Sequence, residues 1–542
     1  MRIALAQLNY HVGDFDANVS RITETIHKAR AMQADVVVFA ELAVCGYPPR
    51  DFLEFDDFLH RCENAVTQIA VETRDIAVII GSPSVNKALK GKPLHNSAYF
   101  LEGGKISGIV HKTLLPNYDV FDEYRYFEPN HQPYQVFEYK GTRFALTICE
   151  DLWNIADDPL YVSNPMDELI RLKPDVIINI AASPFHYEQA AARFEVLGRN
   201  AIAYNLPVFY VNHVGGQTEL IFDGGSMVVD PSGKVAAELK YFEEDIQVFD
   251  PSPNPTAICH PSSAISLIHN ALVLGIRDYF SKMGFSKAIL GLSGGIDSAL
   301  TLVLAVKALG KENVKALLLP SRFSSEHSIK DAEDLARNLG VNHEIIPIDE
   351  VFKAIEHTLE PEFRGLPFNL AEENIQARLR AVILMALCNK FGYILLNTSN
   401  KSEAAVGYGT LYGDMCGGLS VLGDVYKTQV YELAAYINKD QEIIPLNTIT
   451  KPPSAELRPD QKDSDSLPEY DILDKILYRY IEQRKGPDEL IREGFEESMV
   501  RRVLKLVNTS EYKRYQTPPI LRISPKAFGM GRRMPIVGKY LS

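Results

Sequence analysis

Ala288-Ile-Leu-Gly-Leu-Ser-Gly-Gly-Ile-Asp-Ser298 joins a short apolar strand to an amphipathic helix through three small residues, Ser293, Gly294 and Gly295. In such a turn, backbone amides and the helix N-terminus face one point, which is the arrangement that binds an anion. The carboxylate of Asp297 would repel a phosphate there unless Mg²⁺ bridges the two groups. The alternative is a tight turn in which Asp297 caps its own helix. The complete S-G-G-x-D-S pattern favours a pyrophosphate site, and the P-loop pattern G-x-x-x-x-G-K-[ST] is absent.

Strand-like and helix-like runs alternate around this loop. The predicted helices are Ala264 to Met283, Asp297 to Leu309 and Ile329 to Leu339, and the predicted strands are Ala288 to Leu292, Val314 to Leu319 and His343 to Ile348. This alternation predicts a doubly wound parallel sheet. Further on, the Pro-rich, polar segment from Thr450 to Pro468 predicts a mobile or ligand-ordered loop.

The first half of the chain also carries short β-rich runs separated by helical patterns. The predicted strands are Ile3 to Leu8, Val36 to Phe39, Ile76 to Ile80, Phe144 to Ile148, Val176 to Ile180 and Val208 to Val211, and the helices include Asn18 to Ala31 and Gln189 to Tyr204. This pattern predicts an α/β layered domain, with some hairpins and therefore mixed sheets. The Pro- and Ser-rich stretch near residue 255 is a linker candidate. We therefore predict domains at 1–248 and 264–542, joined by a linker at 249–263.

Composition excludes several classes of protein. The 542 residues include 56 Lys plus Arg and 70 Asp plus Glu, so the formal net charge is −14, which disfavours a nucleic-acid partner. The six cysteines form no C-x-x-C pair or short cluster, which fits neither a disulfide framework nor a zinc site and indicates a reducing compartment. No apolar run reaches membrane-spanning length. We expect a cytoplasmic protein without membrane attachment.

Three reactive residue types stand at the ends of predicted strands in the first half: Glu41, Lys112 and Cys149. Together they supply what thiol-based amide hydrolysis needs. A carboxylate accepts the thiol proton, an ammonium stabilises the anionic tetrahedral intermediate, and the thiolate attacks. Each residue alone has an ordinary interpretation: a Cys in the core, a solvated Lys and a Glu that caps a helix. The triple pattern with its flanking residues favours catalysis.

These motifs carry family resemblances. The loop at Ser293 resembles that of the N-type ATP pyrophosphatases, and the order Glu, Lys, Cys resembles the nitrilase superfamily over most of residues 1–245. Their fusion resembles the glutamine-dependent NAD synthetase family over nearly the whole chain. The resemblance implies a nitrilase-like α/β/β/α sandwich followed by a doubly wound parallel-sheet ATP pyrophosphatase domain.

The same resemblance implies an activity. The first half would release ammonia from glutamine, and the second would use ATP and Mg²⁺ to adenylate the carboxylate of deamido-NAD and amidate it, giving NAD, AMP, pyrophosphate and glutamate. Since water protonates free ammonia, a tunnel is expected between the two centres. Glutamine, ATP and deamido-NAD are the implied small-molecule partners, and a homo-oligomer is the implied assembly.

For the glutaminase half, the resemblance implies that Glu41 is the general base, Lys112 the oxyanion-stabilising cation and Cys149 the nucleophile. Tyr118 and Ser183 match glutamine-binding positions. The family often has Lys six residues after that Ser, whereas this chain has Gln189. The charged contact to the glutamine carboxylate is then in question, and Arg193 is a possible replacement.

For the synthetase half, the implied ATP-binding residues are Gly291, Leu292, Ser293, Gly294, Gly295, Ile296, Asp297, Ser298, Thr398 and Lys427. The implied deamido-NAD-binding residues are Asn374, Arg378, Glu403 and Lys513. Asp297 and Glu403 are the implied metal ligands.

Two alternatives remain open from the sequence. A tRNA-modifying thiolase or another amide ligase would keep the ATP loop and change the acceptor, although the charge and the cysteine spacing favour neither tRNA nor thiol transfer. A nitrilase-type amidase with a regulatory nucleotide-binding domain would bind a nucleotide and release neither AMP nor pyrophosphate.

Overall fold

The computed structural model describes residues 1–88, 90–250 and 263–540. The chain divides into two compact units, Met1–Pro261 and Ser262–Ser542. The predicted linker, residues 249–263, falls almost wholly outside the described residues, so its boundaries stay a prediction. In the part of the chain that is described, no helix combines the length and the apolar character needed to cross a membrane.

The first unit alternates strands and helices. Its strands are β1 Ile3–Gln7, β2 Val36–Val38, β3 Ala77–Val85, β4 Leu94–Glu102, β5 Lys105–His111, β6 Phe137–Tyr139, β7 Thr142–Ile148, β8 Val176–Ile180, β9 Val208–Val211, β10 Val214–Gln217, β11 Leu220–Asp223, β12 Met227–Val229, β13 Val235–Glu238 and β14 Asp245–Phe249. Its α-helices are α1 Phe15–Ala31, α2 Asp56–Val71, α3 Pro165–Leu169 and α4 Gln189–Tyr204.

Two six-stranded sheets form the middle of this unit, in the orders β14-β1-β2-β3-β4-β5 and β13-β12-β9-β8-β7-β6. In each sheet three neighbouring strands run parallel and antiparallel strands complete the edges. The sheets contact each other through β1 with β9 and β4 with β7, while α2 packs on β3 and α4 packs on β9 and β12. The predicted α/β/β/α sandwich with mixed sheets is confirmed.

The central strands are largely apolar because both of their faces are covered, and the polar residues within them, Gln7 and Asn179, are buried. Every residue of β1, β2 and β8 is buried. A strand covered on both faces needs no polar alternation, which is why β2 and β8 are rich in Val and Ile.

The second unit contains the strands β15 Ala288–Gly291, β16 Val314–Leu318, β17 Asn342–Ile345, β18 Ile394–Asn397 and β19 Leu419–Ser420. Its helices are α5 Ala264–Met283, α6 Ile296–Leu309, α7 Glu326–Leu339, α8 Asp349–Phe363, α9 Leu370–Phe391, α10 Lys401–Val406, α11 Lys427–Ile437, α12 Leu446–Thr450, α13 Tyr470–Ile481, α14 Pro487–Arg492, α15 Glu497–Thr509 and α16 Glu511–Arg514.

The five strands form one parallel sheet in the order β17-β16-β15-β18-β19. The order reverses at β15, so the crevice between β15 and β18 is the switch point at which ligands bind in doubly wound sheets. The predicted sheet is confirmed. Some predicted boundaries are wrong. β17 ends at Ile345 rather than Ile348, and α7 begins at Glu326 rather than Ile329, because the Ser325 side chain caps the helix by accepting a hydrogen bond from Ser328 N.

Candidate active sites

The catalytic candidates of the first unit follow the ends of three strands. Glu41 lies three residues beyond β2, Lys112 directly follows β5, and Cys149 directly follows β7. All three side chains are buried. The structure therefore brings together three residues that are widely separated in sequence.

Lys112 connects two carboxylates. Its Nζ lies 2.7 Å from Glu41 Oε1 and 2.9 Å from Glu123 Oε1, and all three side chains are almost inaccessible to solvent. A buried ammonium between two carboxylates is well compensated, since each charge has an opposite charge in contact. The carboxylates hold the pKa of Lys112 well above its ordinary value against the opposing effect of burial. Lys112 is therefore a permanent cation in this site.

Glu41 is held at both oxygens. Oε1 accepts from Asn96 Nδ2 at 2.6 Å as well as from Lys112, and Oε2 accepts from Ala182 N at 2.9 Å. Asn96 also donates to Glu123 Oε2 at 3.2 Å. Such a network fixes the orientation of the carboxylate, which a general base requires.

Cys149 adopts an unusual backbone conformation. Its φ is +44°, in the left-handed region that non-glycine residues seldom adopt, and such strain costs about 1–3 kcal/mol. Asp151 stabilises the turn, because its side chain accepts hydrogen bonds from Ile148 N, Thr113 N and Leu114 N. The same carboxylate thus joins the turn that carries the Cys to the segment that carries Lys112.

Burial raises the pKa of the Cys149 thiol well above its ordinary value, and the charge of Glu41 raises it further, while Lys112 lowers it. The thiol is therefore protonated at neutral pH in this structure. A base must remove the proton of this thiol before the sulfur can attack. Glu41 is the candidate for that base, and its charge acts on the thiol.

Glu123 is a buried carboxylate of this site that the sequence does not single out. It lies in a short 3-10 helix, Glu123–Arg125, and besides Lys112 and Asn96 its carboxylate accepts from Tyr47 OH at 3.1 Å. Burial raises its pKa. The one signal in the sequence is a Glu eleven residues after Lys112 in a polar stretch, which is too common a pattern to be informative.

The predicted glutamine-binding residues border this centre. Tyr118 OH donates to both oxygens of Glu150, at 2.9 and 3.1 Å, and Glu150 is the residue after Cys149. Gln189, at the start of α4, donates from Nε2 to Ser183 Oγ at 2.9 Å. Ser183 N in turn donates to Asn212 Oδ1 at 2.8 Å. Ser183 and Gln189 thus lie together, as their assignment to one ligand requires.

Arg193 does not replace the missing Lys. Its guanidinium is fully buried, and it donates to Asp223 Oδ1 at 2.8 Å and to Gly224 O at 3.1 Å. Asp223 neutralises the charge of Arg193 inside the protein. The contacts that the structure describes therefore give Arg193 a structural role. The suggestion that it compensates for Gln189 is wrong.

In the second unit, the loop after β15 has the conformation that the sequence predicts. Gly294 has a φ of +84°, and a Cβ added there would lie 2.2 Å from Ser328 O, so only glycine fits. Ser293 Oγ accepts from Gly295 N at 3.2 Å and lies 3.1 Å from Ser298 Oγ. The loop is thereby closed at the N-terminus of α6, which favours anion binding.

Asp297 lies in the first turn of α6 without capping it. Its Oδ1 accepts from Asn400 Nδ2 at 2.9 Å, and its Oδ2 lies 2.5 Å from Lys427 Nζ. Lys427 also lies 3.3 Å from Glu403 Oε1. The two predicted metal ligands and the predicted phosphate-binding Lys therefore form one cluster.

The chemistry of this cluster fits a divalent cation. Burial and repulsion by Asp297 raise the pKa of Glu403 to about 8, although Lys427 opposes the shift. An additional cation would therefore stabilise both carboxylates. No group of three or more His, Cys, Asp or Glu side chains is arranged for a metal ion in residues 1–88, 90–250 and 263–540. Mg²⁺ suits such a site, because it is typically held by one or two carboxylates with phosphates and water.

The remaining predicted residues of the second unit surround the Gly-rich segment 407–414. Thr410 Oγ1 donates to Asn374 Oδ1 at 2.7 Å, Arg378 Nε donates to Leu411 O at 3.2 Å, and Lys513 Nζ donates to the carbonyls of Gly407 and Gly409 at 2.8 Å. Thr398 directly follows β18, at the switch-point edge of the sheet. Asn374, Arg378 and Lys513 thus all contact the segment 407–414, although about 140 residues separate Lys513 from the other two in sequence.

The Pro-rich segment from Thr450 to Pro468 packs against this unit. Glu456 accepts from Ser325 Oγ at 2.7 Å and from Ser328 Oγ at 2.8 Å, and Gln376 Nε2 donates to Leu457 O at 2.9 Å. It therefore lies beside the phosphate loop, which Ser328 contacts. Its ordering by ligands stays a prediction.

Both units match families of known proteins. A family model described as carbon-nitrogen hydrolase matches residues 2–253, and one described as NAD synthase matches residues 268–517. The glutamine-dependent NAD(+) synthetase of Synechocystis sp. is 46% identical, over 98% of this chain and 98% of the relative. That of Acinetobacter baylyi is 44% identical, over 99% of this chain and 98% of the relative.

Comparison with solved structures leads to the same family. The glutamine-dependent NAD+ synthetase from Acinetobacter baumannii in complex with adenosine diphosphate superimposes with a TM-score of 0.79 at 40% identity, covering 99% of this chain and 98% of that one. The enzyme from Cytophaga hutchinsonii superimposes with a TM-score of 0.85 at 22% identity, which supports the fold.

Proposed function

Because the chain belongs to the glutamine-dependent NAD(+) synthetase family, we propose that its two sites perform the two halves of that reaction with the residues described above. The enzyme hydrolyses glutamine and uses the ammonia to amidate deamido-NAD, with ATP converted to AMP and pyrophosphate. The observation that carries the assignment of residues is the contact of Lys112 with Glu41 beside Cys149, in a chain whose second unit holds the S-G-G-x-D-S loop.

In the first site Glu41 takes the proton of the Cys149 thiol, and the thiolate attacks the amide carbon of glutamine. Lys112 stabilises the negative charge that develops on the amide oxygen. Glu41 returns the proton to the departing nitrogen, so that ammonia leaves and a thioester remains on Cys149. Water, deprotonated by Glu41, then cleaves the thioester and releases glutamate.

Two contacts support binding of glutamine at this site. Tyr118 and Glu150 form one side of the centre, and Ser183 with Gln189 forms another. Gln189 offers an amide where relatives of the family often carry an ammonium, so it would donate to the substrate carboxylate from an uncharged group and form no ion pair with it.

In the second site the carboxylate of deamido-NAD attacks the α-phosphorus of ATP, and pyrophosphate leaves. The backbone amides of Gly291 to Ser298 bind the phosphates, together with Lys427. Asp297 and Glu403 would hold Mg²⁺, which neutralises charge on the phosphates when bound. Ammonia then displaces AMP from the adenylated carboxylate. Asn374, Arg378 and Lys513 bind the dinucleotide, and Thr398 contacts the adenosine.

The alternative, an amidase with a regulatory nucleotide-binding domain, is disfavoured because relatives named as synthetases match both units at 40–46% identity. A cytoplasmic location suits the five cysteines of the described residues, which are all free. Assembly into a homo-oligomer is part of the proposal.

A product assay tests the residue assignments. With ATP, Mg²⁺ and deamido-NAD, Cys149→Ala is expected to lose glutamine-driven NAD formation and keep ammonia-driven formation. Asp297→Ala is expected to lose both, while its control Asp440→Ala, an exposed carboxylate in the same unit, keeps both. Loss of ammonia-driven synthesis in Cys149→Ala, or near-normal synthesis in Asp297→Ala, would overturn the assignment.

A further inference from the structure

Arg380 lies in the middle of α9 and reaches the carboxyl edge of the parallel sheet. Its Nε donates to Leu319 O at 2.9 Å, and Leu319 directly follows β16. β16 pairs with β15, the strand that leads into the phosphate loop, with Leu317 opposite Gly291. The guanidinium is therefore held one strand away from the loop, on the side of the sheet where ligands bind.

In the part of the chain that the structure describes, the rest of this guanidinium has no partner. In residues 1–88, 90–250 and 263–540, neither Nη atom of Arg380 makes a hydrogen bond or an ion pair. Burial lowers the pKa of Arg380 to about 10, so the side chain remains charged at neutral pH. A partly buried cation without a contacting anion is costly, because it has lost part of its hydration. An anionic ligand would restore the balance.

Three carboxylates, those of Asp414, Glu456 and Asp349, act electrostatically on Arg380 without contacting it. Asp414 accepts from Thr410 N at 2.6 Å, Glu456 accepts from Ser325 Oγ at 2.7 Å, and Asp349 accepts from Arg322 N at 3.1 Å. Each is held by other donors and lies beyond ion-pair distance of Arg380. The two free Nη groups thus remain available as a planar pair of donors, which suits a phosphate.

The position of Arg380 on α9 indicates whether its side chain faces the phosphates of deamido-NAD or those of ATP. It lies about 200° around the helix axis from Arg378, whose Nε contacts Leu411 O on the side assigned to deamido-NAD. It shares a face with Gln376, one turn earlier, which donates to Leu457 O in the segment from Thr450 to Pro468.

That segment leads back to the phosphate loop. Glu456 accepts from Ser328 Oγ at 2.8 Å, and Ser328 O lies so close to Gly294 that an added Cβ would be 2.2 Å away. Arg380 and the phosphate loop therefore border the same part of the unit. We propose that Arg380 binds a phosphate of ATP that leaves as pyrophosphate, a contact made in the synthetase reaction proposed above.

Equilibrium binding of pyrophosphate with Mg²⁺, measured by calorimetry on the full chain, tests the proposal without the acceptor. Arg380→Ala is expected to raise the Kd for pyrophosphate and the KM for ATP by at least about tenfold, since a bidentate charged contact is lost. The KM for deamido-NAD is expected to change by less than about twofold. Arg492→Ala is the matched control, because Arg492 is exposed and its Nε also donates to a backbone carbonyl, Asp488 O.

Unchanged pyrophosphate binding in Arg380→Ala, or an effect mainly on deamido-NAD, would overturn the proposal. Glutamine hydrolysis by the first unit and thermal unfolding check that the variant is folded. Should Arg380→Ala not fold, Arg380→Lys decides: a Kd raised by about threefold or more supports the proposal, because Lys offers a single point of contact, and an unchanged Kd contradicts it. If the wild type binds pyrophosphate through Arg380 and forms no NAD, the proposed function fails and this contact stands.

Discussion

The ammonium of Lys112 lies 2.7 Å from the carboxylate of Glu41, and neither side chain is accessible to solvent. A second carboxylate, Glu123, contacts the same ammonium at 2.9 Å. Because Lys112 is compensated from two sides, Glu123 holds the ammonium in place while Glu41 serves as the base.

Replacement of Glu123 tests this division of roles. In Glu123→Gln, Glu41 is the one carboxylate among the described residues that still forms an ion pair with the ammonium, so Lys112 is drawn toward the base and away from the substrate. We expect kcat for glutamine hydrolysis to fall by about 10²-fold, the cost of misplacing a catalytic group by about 1 Å. Ammonia-driven NAD formation is expected to be unchanged. The exposed Glu138→Gln is the control. Normal glutaminase activity in Glu123→Gln would show that Glu41 alone positions Lys112.

The protonation of Cys149 has a consequence for its reactivity. Since burial raises the pKa of this thiol, the thiolate fraction increases about tenfold per pH unit below that pKa. We expect the rate of alkylation of Cys149 by iodoacetamide, followed by peptide mass spectrometry, to rise continuously from about pH 6 to about pH 8.5. N-acetylcysteine provides the reference rate. A rate that is already constant at about pH 6 would mean that Lys112 maintains a preformed thiolate, which contradicts the role of Glu41.

Gly294 offers a test of the phosphate loop. Gly294→Ala combines a positive φ with a contact of 2.2 Å to Ser328 O, so the loop must shift. Loss of aligned phosphate donors is expected to lower ammonia-driven NAD formation by about 10²-fold and to leave glutamine hydrolysis intact. In the control, Gly284→Ala, φ is also positive at +72°, but among the described residues no heavy atom beyond the adjacent chain lies within 4 Å of the added Cβ. Equal loss of synthesis in both variants would indicate backbone strain as the cause, not the loop.

Much of this architecture could be predicted from local patterns. The bounds of α4, α5 and β8 agree with the sequence prediction, because apolar periodicity and flanking turn residues define them locally. The three catalytic candidates were found for the same reason: each follows a buried apolar strand whose end is visible in the sequence.

Other features depend on contacts between distant segments. The hairpin of β4 and β5 was missed because buried polar residues, His95, Asn96 and Ser97, interrupt the apolar alternation of β4. Glu123 and Arg380 have no local signal in the sequence. Glu123 is distinguished by its contact with Lys112, and Arg380 by Nη atoms that have no partner in the described residues. The prediction for Arg193 fails because its neutralisation by Asp223 arises only in the folded chain and has no signal in the sequence.

The account rests on the transfer of nitrogen from glutamine to the dinucleotide within one enzyme. The most direct measurement supplies glutamine labelled with ¹⁵N in its amide, together with ATP, Mg²⁺, deamido-NAD and an excess of unlabelled ammonium, and analyses NAD by mass spectrometry. We predict that ¹⁵N enters the nicotinamide carboxamide in the wild type and that Cys149→Ala yields unlabelled NAD. NAD that carries no label in the wild type would contradict the account.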